Sequence, residues 1–316
     1  MKQTLLIIYF FAIIFKSAGQ QKPQEAFTVR EKDIIAEGIA YDPFEKAFYL
    51  SSIQKSKILK ITSKGEVSDF VKSGQDNIRQ VLGMKVDASG RLWACNNTPE
   101  YDTINRLSNV HVFETKTGKL VRQYEINDGK KHLFNDLYFT ATGDVYITDS
   151  DGGGVYVVRR GNQELEEFLK PGSLRFPNGI TATPDESRLL VSTGSGLGIV
   201  SIDLKTKEVK PVSHAKFLVI GLDGLYRHGN SLIGIQNIFY PEAVMKFTLS
   251  ANCENITEIS FLTSIEPRFD IPTTGVIAEG YFYFIANSQL LQTRNTRGAI
   301  KEPEKLTDSL IMRVKL

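Results

Sequence analysis

Phe176-Pro177-Asn178-Gly179-Ile180, followed after a turn by Leu189-Leu190-Val191, is the stretch whose reading decides the fold. Taken alone, Asn178-Gly179 reads as a tight turn. Its pattern, however, returns along the chain: a polar or variable residue, usually glycine next, an apolar residue, a turn, then a β-rich run. It occurs as Glu37-Gly38-Ile39 before Phe48-Tyr49, as Leu82-Gly83-Met84 before Leu92-Trp93, and as Asn135-Asp136-Leu137 before Val145-Tyr146. Beyond Asn178 it occurs as Asp223-Gly224-Leu225 before Leu232-Ile233 and as Thr274-Gly275-Val276 before Tyr281-Phe282. Successive starts lie 45, 53, 43, 45 and 51 residues apart.

Helical periodicity is scarce, and short runs rich in β-branched and aromatic residues alternate with Gly, Asp, Asn and Pro turn signals. A four-stranded propeller blade takes about 40–50 residues. The expected fold is therefore all-β, a six-bladed β-propeller with four-stranded blades. The early strand Ala26-Phe27-Thr28-Val29-Arg30 precedes the first repeat and has no blade of its own to fill. It is predicted to complete the last blade beside Leu310–Lys315, which removes an exposed edge.

Composition excludes several functions. The 316 residues include 38 Lys+Arg and 36 Asp+Glu. Lys2 and Lys16 lie in a segment read below as a leader, and without them the two signs balance. A protein that grips phosphate backbones needs a cationic surplus, so no nucleic-acid partner is expected. Leu5–Phe15 is an unbroken apolar run after Lys2, too short for a bilayer, which takes roughly 20 residues. Ser17-Ala18-Gly19 and polar residues follow it. That order predicts a signal peptide over 1–19 and a secreted or periplasmic mature chain over 20–316, with no transmembrane segment. Cys95 and Cys253 are expected to be unpaired. Asn96-Asn97-Thr98 and Asn255-Ile256-Thr257 match glycosylation acceptors.

The repeat register points to a site. If each repeat marks the top of an innermost strand, then Glu37, Leu82, Asn135, Asn178, Asp223 and Thr274 ring one opening of the central channel. Four of them carry carboxylate or carboxamide oxygens. Glu37, Asn135, Asn178 and Asp223 thus suit a hard cation, Ca²⁺ first and another divalent ion second. The ring has no His or Cys, which argues against zinc or copper. Asn96, Asp149, Thr193, Asn237 and Asn287, at the ends of second strands, are expected around the same opening. Of these, Asn96, Asn237 and Asn287 join Asn135 as candidate substrate-binding residues, whereas Asp149 reads as structural. His132 precedes Phe134-Asn135 and reads as a loop histidine within reach of the pocket.

Glu37-Gly38-Ile39-Ala40-Tyr41-Asp42, Phe134-Asn135-Asp136-Leu137, Phe176-Pro177-Asn178-Gly179-Ile180 and Leu222-Asp223-Gly224-Leu225 together resemble the SMP-30/gluconolactonase/luciferin-regenerating-enzyme-like group of six-bladed propellers. The resemblance runs over about residues 25–316. It implies divalent-metal ligands at Glu37, Asn178 and Asp223, and metal or substrate contact at Asn135. Ile39 stands where gluconolactonases have Pro, and Gly224 where paraoxonase-like chains have Asn. The expected activity is metal-dependent hydrolysis of a lactone or similar ester, with Asp223 as general base. The partner is then a small molecule, and no partner protein is inferred. Two other readings stand beside it: a propeller that binds a ligand or protein without catalysis, and a phosphotriesterase-type hydrolase on the same metal ring.

Overall fold

The computed structural model describes residues 20–99, 101–104, 106–194 and 197–316; the leader read over 1–19 lies outside them. The chain is built from strands, with three single-turn 3₁₀ segments as its only helical pieces among the described residues. After β1 (Gln24–Val29) comes an antiparallel meander of β2 (Ala36–Asp42), β3 (Ala47–Ser52), β4 (Lys57–Thr62) and β5 (Val67–Val71). A second holds β6 (Gln80–Val86), β7 (Arg91–Asn97), β8 (Ser108–Glu114) and β9 (Leu120–Ile126). A third holds β10 (Phe134–Phe139), β11 (Val145–Asp149), β12 (Gly154–Val158) and β13 (Glu166–Leu169).

The next eight strands form one sheet. They are β14 (Pro177–Ala182), β15 (Arg188–Thr193), β16 (Ile199–Asp203), β17 (Val209–His214), β18 (Leu222–His228), β19 (Ser231–Gln236), β20 (Ala243–Leu249) and β21 (Asn255–Ser264). The sheet order is β14-β15-β16-β17-β21-β20-β19-β18. Two antiparallel meanders therefore meet at their outer strands, through the parallel pairs Ser213↔Asn255 and His214↔Ile256. The sequence leads one to expect separate four-stranded blades here, and this short parallel ladder fuses them. The last sheet is β22 (Gly275–Ala278), β23 (Tyr281–Ile285), β24 (Ser309–Lys315) and β1. As expected from its position, β1 pairs antiparallel with β24, Val29 opposite Ser309.

The arrangement is propeller-like. First strands pack side by side in chain order, β2 on β6, β6 on β10, β10 on β14, β14 on β18 and β18 on β22, and β22 returns to β2. Apolar residues collect between neighbouring meanders. One cluster joins Val29, Ile285 and Ile311 of the last sheet to Ile39, Phe48 and Leu59 of the first. Another joins Trp93 and Val112 to Phe134 and Ile147. The same alternation continues round the molecule. Each meander thus buries its faces only against its neighbours, which is why the strands read as near-continuous apolar runs.

Cys95, within β7, and Cys253, in the turn before β21, are both buried and free. Asn96 is buried within β7, so that acceptor motif is closed, whereas Asn255 is exposed at the start of β21. Among the described residues no helix is long and apolar enough to cross a membrane.

Candidate metal and active site

In five of the six repeats the motif lies inside the first strand, and in the sixth Thr274 directly precedes β22. Pairing slips in those five: between Ala36 and Ile39, Val81 and Met84, Phe134 and Leu137, Pro177 and Ile180, and Leu222 and Leu225. The slip takes in Glu37-Gly38, Leu82-Gly83, Asn135-Asp136, Asn178-Gly179 and Asp223-Gly224. Such an irregularity interrupts the two-residue alternation and re-aims a side chain. The glycines serve close approach. A Cβ on Gly179 would run into Leu225 N and lie 2.7 Å from Asp223 O, so β14 and β18 meet backbone to backbone.

Hydroxyls on neighbouring strands hold the irregular backbone. Ser51 Oγ accepts from Gly38 N (2.7 Å) and donates to Leu82 O (3.4 Å). Thr148 Oγ1 accepts from Asp136 N (3.1 Å) and donates to Asn178 O (2.7 Å). Ser192 Oγ donates to Asp223 O (2.9 Å), and Thr274 Oγ1 to Glu37 O (2.6 Å). Thr274, expected in the ring, instead fastens the carbonyl of a ring residue. Each hydroxyl ties one meander to the carbonyl of the next unit's ring residue.

Glu37, Leu82, Asn135, Asn178 and Asp223 line one cavity of about 1290 Å³, together with Asn237. All but Asn237 are buried. Three oxygens there have no hydrogen-bond partner: Glu37 Oε2, Asn178 Oδ1 and Asp223 Oδ1. Asn135 gives its Nδ2 to Ser150 Oγ (3.0 Å). Asn237 Nδ2 donates to Asp223 Oδ2 (2.6 Å) and to Pro272 O (2.9 Å), so it fixes the carboxylate at the pocket wall.

Burial, and then the charge of Asp223, holds the Glu37 carboxyl well above its ordinary range. Burial raises Asp223 too; Asn237 and Asn178 pull it part of the way back, and the Asp136 charge pushes up. Two buried carboxyls that repel one another are costly unless a cation or proton joins them. Among the described residues no three His, Cys, Asp or Glu side chains gather as a metal cluster. This set instead mixes two carboxylates with two carboxamides. Hard, orphaned, buried oxygens of that kind fit an oxygen-liking divalent cation.

Asn96 and Asn287 lie outside the lining of this cavity. Asn96 accepts from Arg79 N (2.6 Å) and donates to Asn109 Oδ1 (2.9 Å). Asn287, in the β23–β24 loop, donates to Thr307 Oγ1 and Asp308 O and accepts from Leu310 N of β24. Register explains Asn96, Asp149 and Thr193: they pair with Val81, Phe134 and Pro177, the residues before the ring positions. Ser150 and Asn237 stand one residue beyond the corresponding pairs, on the other face of the strand, and these reach Asn135 and Asp223. Asp149 is structural, accepting from Leu133 N (2.8 Å) and Gly152 N (3.0 Å). It also meets His132 Nδ1 at 2.5 Å, while His132 Nε2 is 2.9 Å from Asp128. His132 is among the residues that line the cavity.

Asp136 was not singled out by the sequence, although it replaces glycine in the third repeat. It forms a partly buried ion pair with Lys85 of β6 (2.8 Å), and its Oδ2 accepts from Ile180 N (3.3 Å).

Several solved structures share the fold. A gluconolactonase from Xanthomonas campestris is 16% identical, with a TM-score of 0.62 over 93% of this chain and 88% of that one. Regucalcin from Agrobacterium tumefaciens, a calcium-binding protein, is 13% identical, with a TM-score of 0.63 over 92% and 93%. A virginiamycin B lyase from Staphylococcus aureus is 15% identical, with a TM-score of 0.58 over 83% and 81%. At these identities the likeness speaks for the fold alone. No curated protein matches the chain by sequence. The family model of the SMP-30/gluconolactonase/LRE-like region matches residues 35–225, which hold Glu37, Asn135, Asn178 and Asp223. By that match over more than half its length, the chain belongs to the SMP-30/gluconolactonase/LRE-like family.

Proposed function

We propose that the protein is an exported hydrolase of a lactone or similar ester that depends on a divalent cation, Ca²⁺ first. The observation that carries this reading is the meeting of three orphaned buried oxygens, on Glu37, Asn178 and Asp223, in one cavity. Membership of the family and the fold shared with a gluconolactonase and a calcium-binding regucalcin support it. Glu37, Asn135, Asn178 and Asp223 would hold the ion. The eight-stranded sheet is read as two blades, β14–β17 and β18–β21, so that six blades surround the ring.

A bound divalent cation supplies positive charge that polarises a carbonyl oxygen and offsets the negative charge developing on it. The chain's own residues supply the rest. Asp223 keeps one oxygen, Oδ2, on Asn237 and leaves Oδ1 buried without a hydrogen-bond partner. The Asp223 carboxylate takes a proton from water as the water oxygen bonds to the lactone carbonyl carbon. The bond from that carbon to the ring oxygen then breaks, and the ring oxygen leaves with the proton, giving a hydroxy acid. Asn135 and Asn178 orient the substrate.

The test is a panel of lactones assayed with Ca²⁺, with chelator, and with Asp223→Asn. Chelation and Asp223→Asn are each expected to lower turnover by about 10²-fold or more. Turnover that survives both overturns the reading. Turnover of fluorophosphates but not lactones would favour phosphotriester chemistry on the same ring. For export over 1–19, the intact mass of the secreted protein should correspond to a chain starting near Gln20.

A further inference from the structure

The mouth of the cavity carries positive charge that the ring does not use. Cationic side chains reach it from three loops: Arg106 between β7 and β8, Lys130 and Lys131 between β9 and β10, and Arg294 and Arg297 between β23 and β24. The carboxylates of the mouth are Asp102, Asp128 and Asp151, and each is matched. Asp102 pairs with Arg79 (3.3 Å) and Asp151 with Lys131 (3.0 Å). Asp128 pairs with Lys130 (3.3 Å) and His132 (2.9 Å). Arg106, Arg294 and Arg297 form no ion pair among the described residues.

The turn that presents two of these arginines is held in place. Asn295, Arg297 and Gly298 adopt left-handed backbone, with φ of 62°, 53° and 85°. For Arg297 that conformation is costly, and surrounding contacts must enforce it. Gly298 O accepts from Gln54 Nε2 (2.7 Å), and Thr296 Oγ1 donates to Thr293 O (2.6 Å). A side chain at Gly298 would lie 2.7 Å from the Tyr101 hydroxyl, so the loop also abuts the one that carries Arg106. Gln54 of the β3–β4 loop and Tyr101 of the β7–β8 loop therefore brace the cationic turn where it lines the cavity.

We propose that Arg294 and Arg297, joined by Arg106, form an anion subsite, and that the substrate is a lactone or ester bearing a carboxylate or phosphate away from its scissile bond. Guanidinium presents paired N–H donors that match either anion, and several together raise the local concentration of a negatively charged substrate. The inference rests on the hydrolase reading of the ring, for which the cavity leaves room beyond the reacting group.

Two measurements separate the two ideas. In the first, kcat/KM is compared for a neutral 1,4-aldonolactone, the carboxylate-bearing glucaro-1,4-lactone and 6-phosphoglucono-δ-lactone, in the native protein and in Arg294→Ala/Arg297→Ala. The charged-to-neutral ratio is expected to fall at least ten-fold in the double variant, mainly through KM, and to recover in part with Arg294→Lys/Arg297→Lys. The preferred charged lactone tells carboxylate from phosphate. A ratio near one in the native protein, unmoved by the substitutions, overturns the subsite and leaves the hydrolase reading intact. In the second, glucarate binding to the Ca²⁺-loaded protein is followed by calorimetry. Binding that weakens ten-fold in the double variant and with added salt supports the subsite even if no lactone is turned over, the result that sinks the hydrolase reading. Binding equal in native and double-variant protein overturns it.

Discussion

At the residue scale, the site depends on what stands beside each ring side chain. Asp223 has one oxygen held by Asn237 and the other buried without a partner. Its backbone position is set by Ser192 on its carbonyl and by Gly179 across the strand gap. Gly179 is therefore the sharper probe of the architecture. In Gly179→Ala the new methyl meets Leu225 N and Asp223 O, which are backbone atoms and cannot swing aside as a side chain would. Overpacking of that kind costs about 1–3 kcal/mol, and it should displace Asp223 as well. Denaturant unfolding should show the loss, and calcium titration a weaker ion affinity. Native stability and affinity together would refute the close-approach role.

At the element scale, ring closure rests on β1. It gives β24 a partner along its length, and Phe27 packs on Phe48 (5.2 Å between ring centroids) and Tyr283 (6.4 Å). Those two rings belong to the first and last sheets, so one short strand both fills an edge and clamps a seam. Deleting residues 20–29 should cost about 3 kcal/mol or more through lost backbone hydrogen bonds and apolar burial. It should also leave β24 as a bare edge prone to pairing between molecules. A thermal melt and sedimentation would show this; an unchanged Tm in a monomer would contradict it.

At the scale of the whole molecule, stability is shared because every apolar cluster lies between neighbouring meanders. One coupling reports on pH. Burial alone would lower the His132 pKa, but Asp149 and Asp128 outweigh it and the net shift is upward. A histidine raised on folding binds its proton more tightly in the native state. Its contribution is therefore complete below the unfolded value of about 6.5 and is lost as pH rises through the raised one. Unfolding free energy should fall across that window in the native protein and stay flatter in His132→Gln. Urea melts at pH 6 and pH 8.5 check it, and identical slopes for the two proteins would refute the coupling.

How much of this was legible in the chain can be judged from particular residues. The repeat brought Glu37, Asn135, Asn178 and Asp223 to one cavity, because a two-residue strand period and a blade-length spacing are local facts that propagate along a sequence. The closing role of β1 was legible for the same reason: a strand without a blade has to pair somewhere. Which face a residue takes at the end of a second strand was not legible. A single-residue offset separates Asn237 and Ser150, which serve the ring, from Asn96, Asp149 and Thr193, and only the slipped pairing in the first strands reveals it. Asn178-Gly179 reads as strand only through its place in the repeat, since a glycine needed for close approach looks in sequence like a glycine needed for a turn. The hydroxyls of Ser51, Thr148 and Ser192, the Lys85–Asp136 pair and the arginines of the β23–β24 loop all act on residues remote in sequence. The sequence by itself thus determined the β class, the repeat and most of the repeat side chains that share the cavity, through patterns that short-range sterics and burial impose. Tertiary structure alone decided their partners and the charge at the mouth, because hydrogen bonds and ion pairs choose among groups by distance in space.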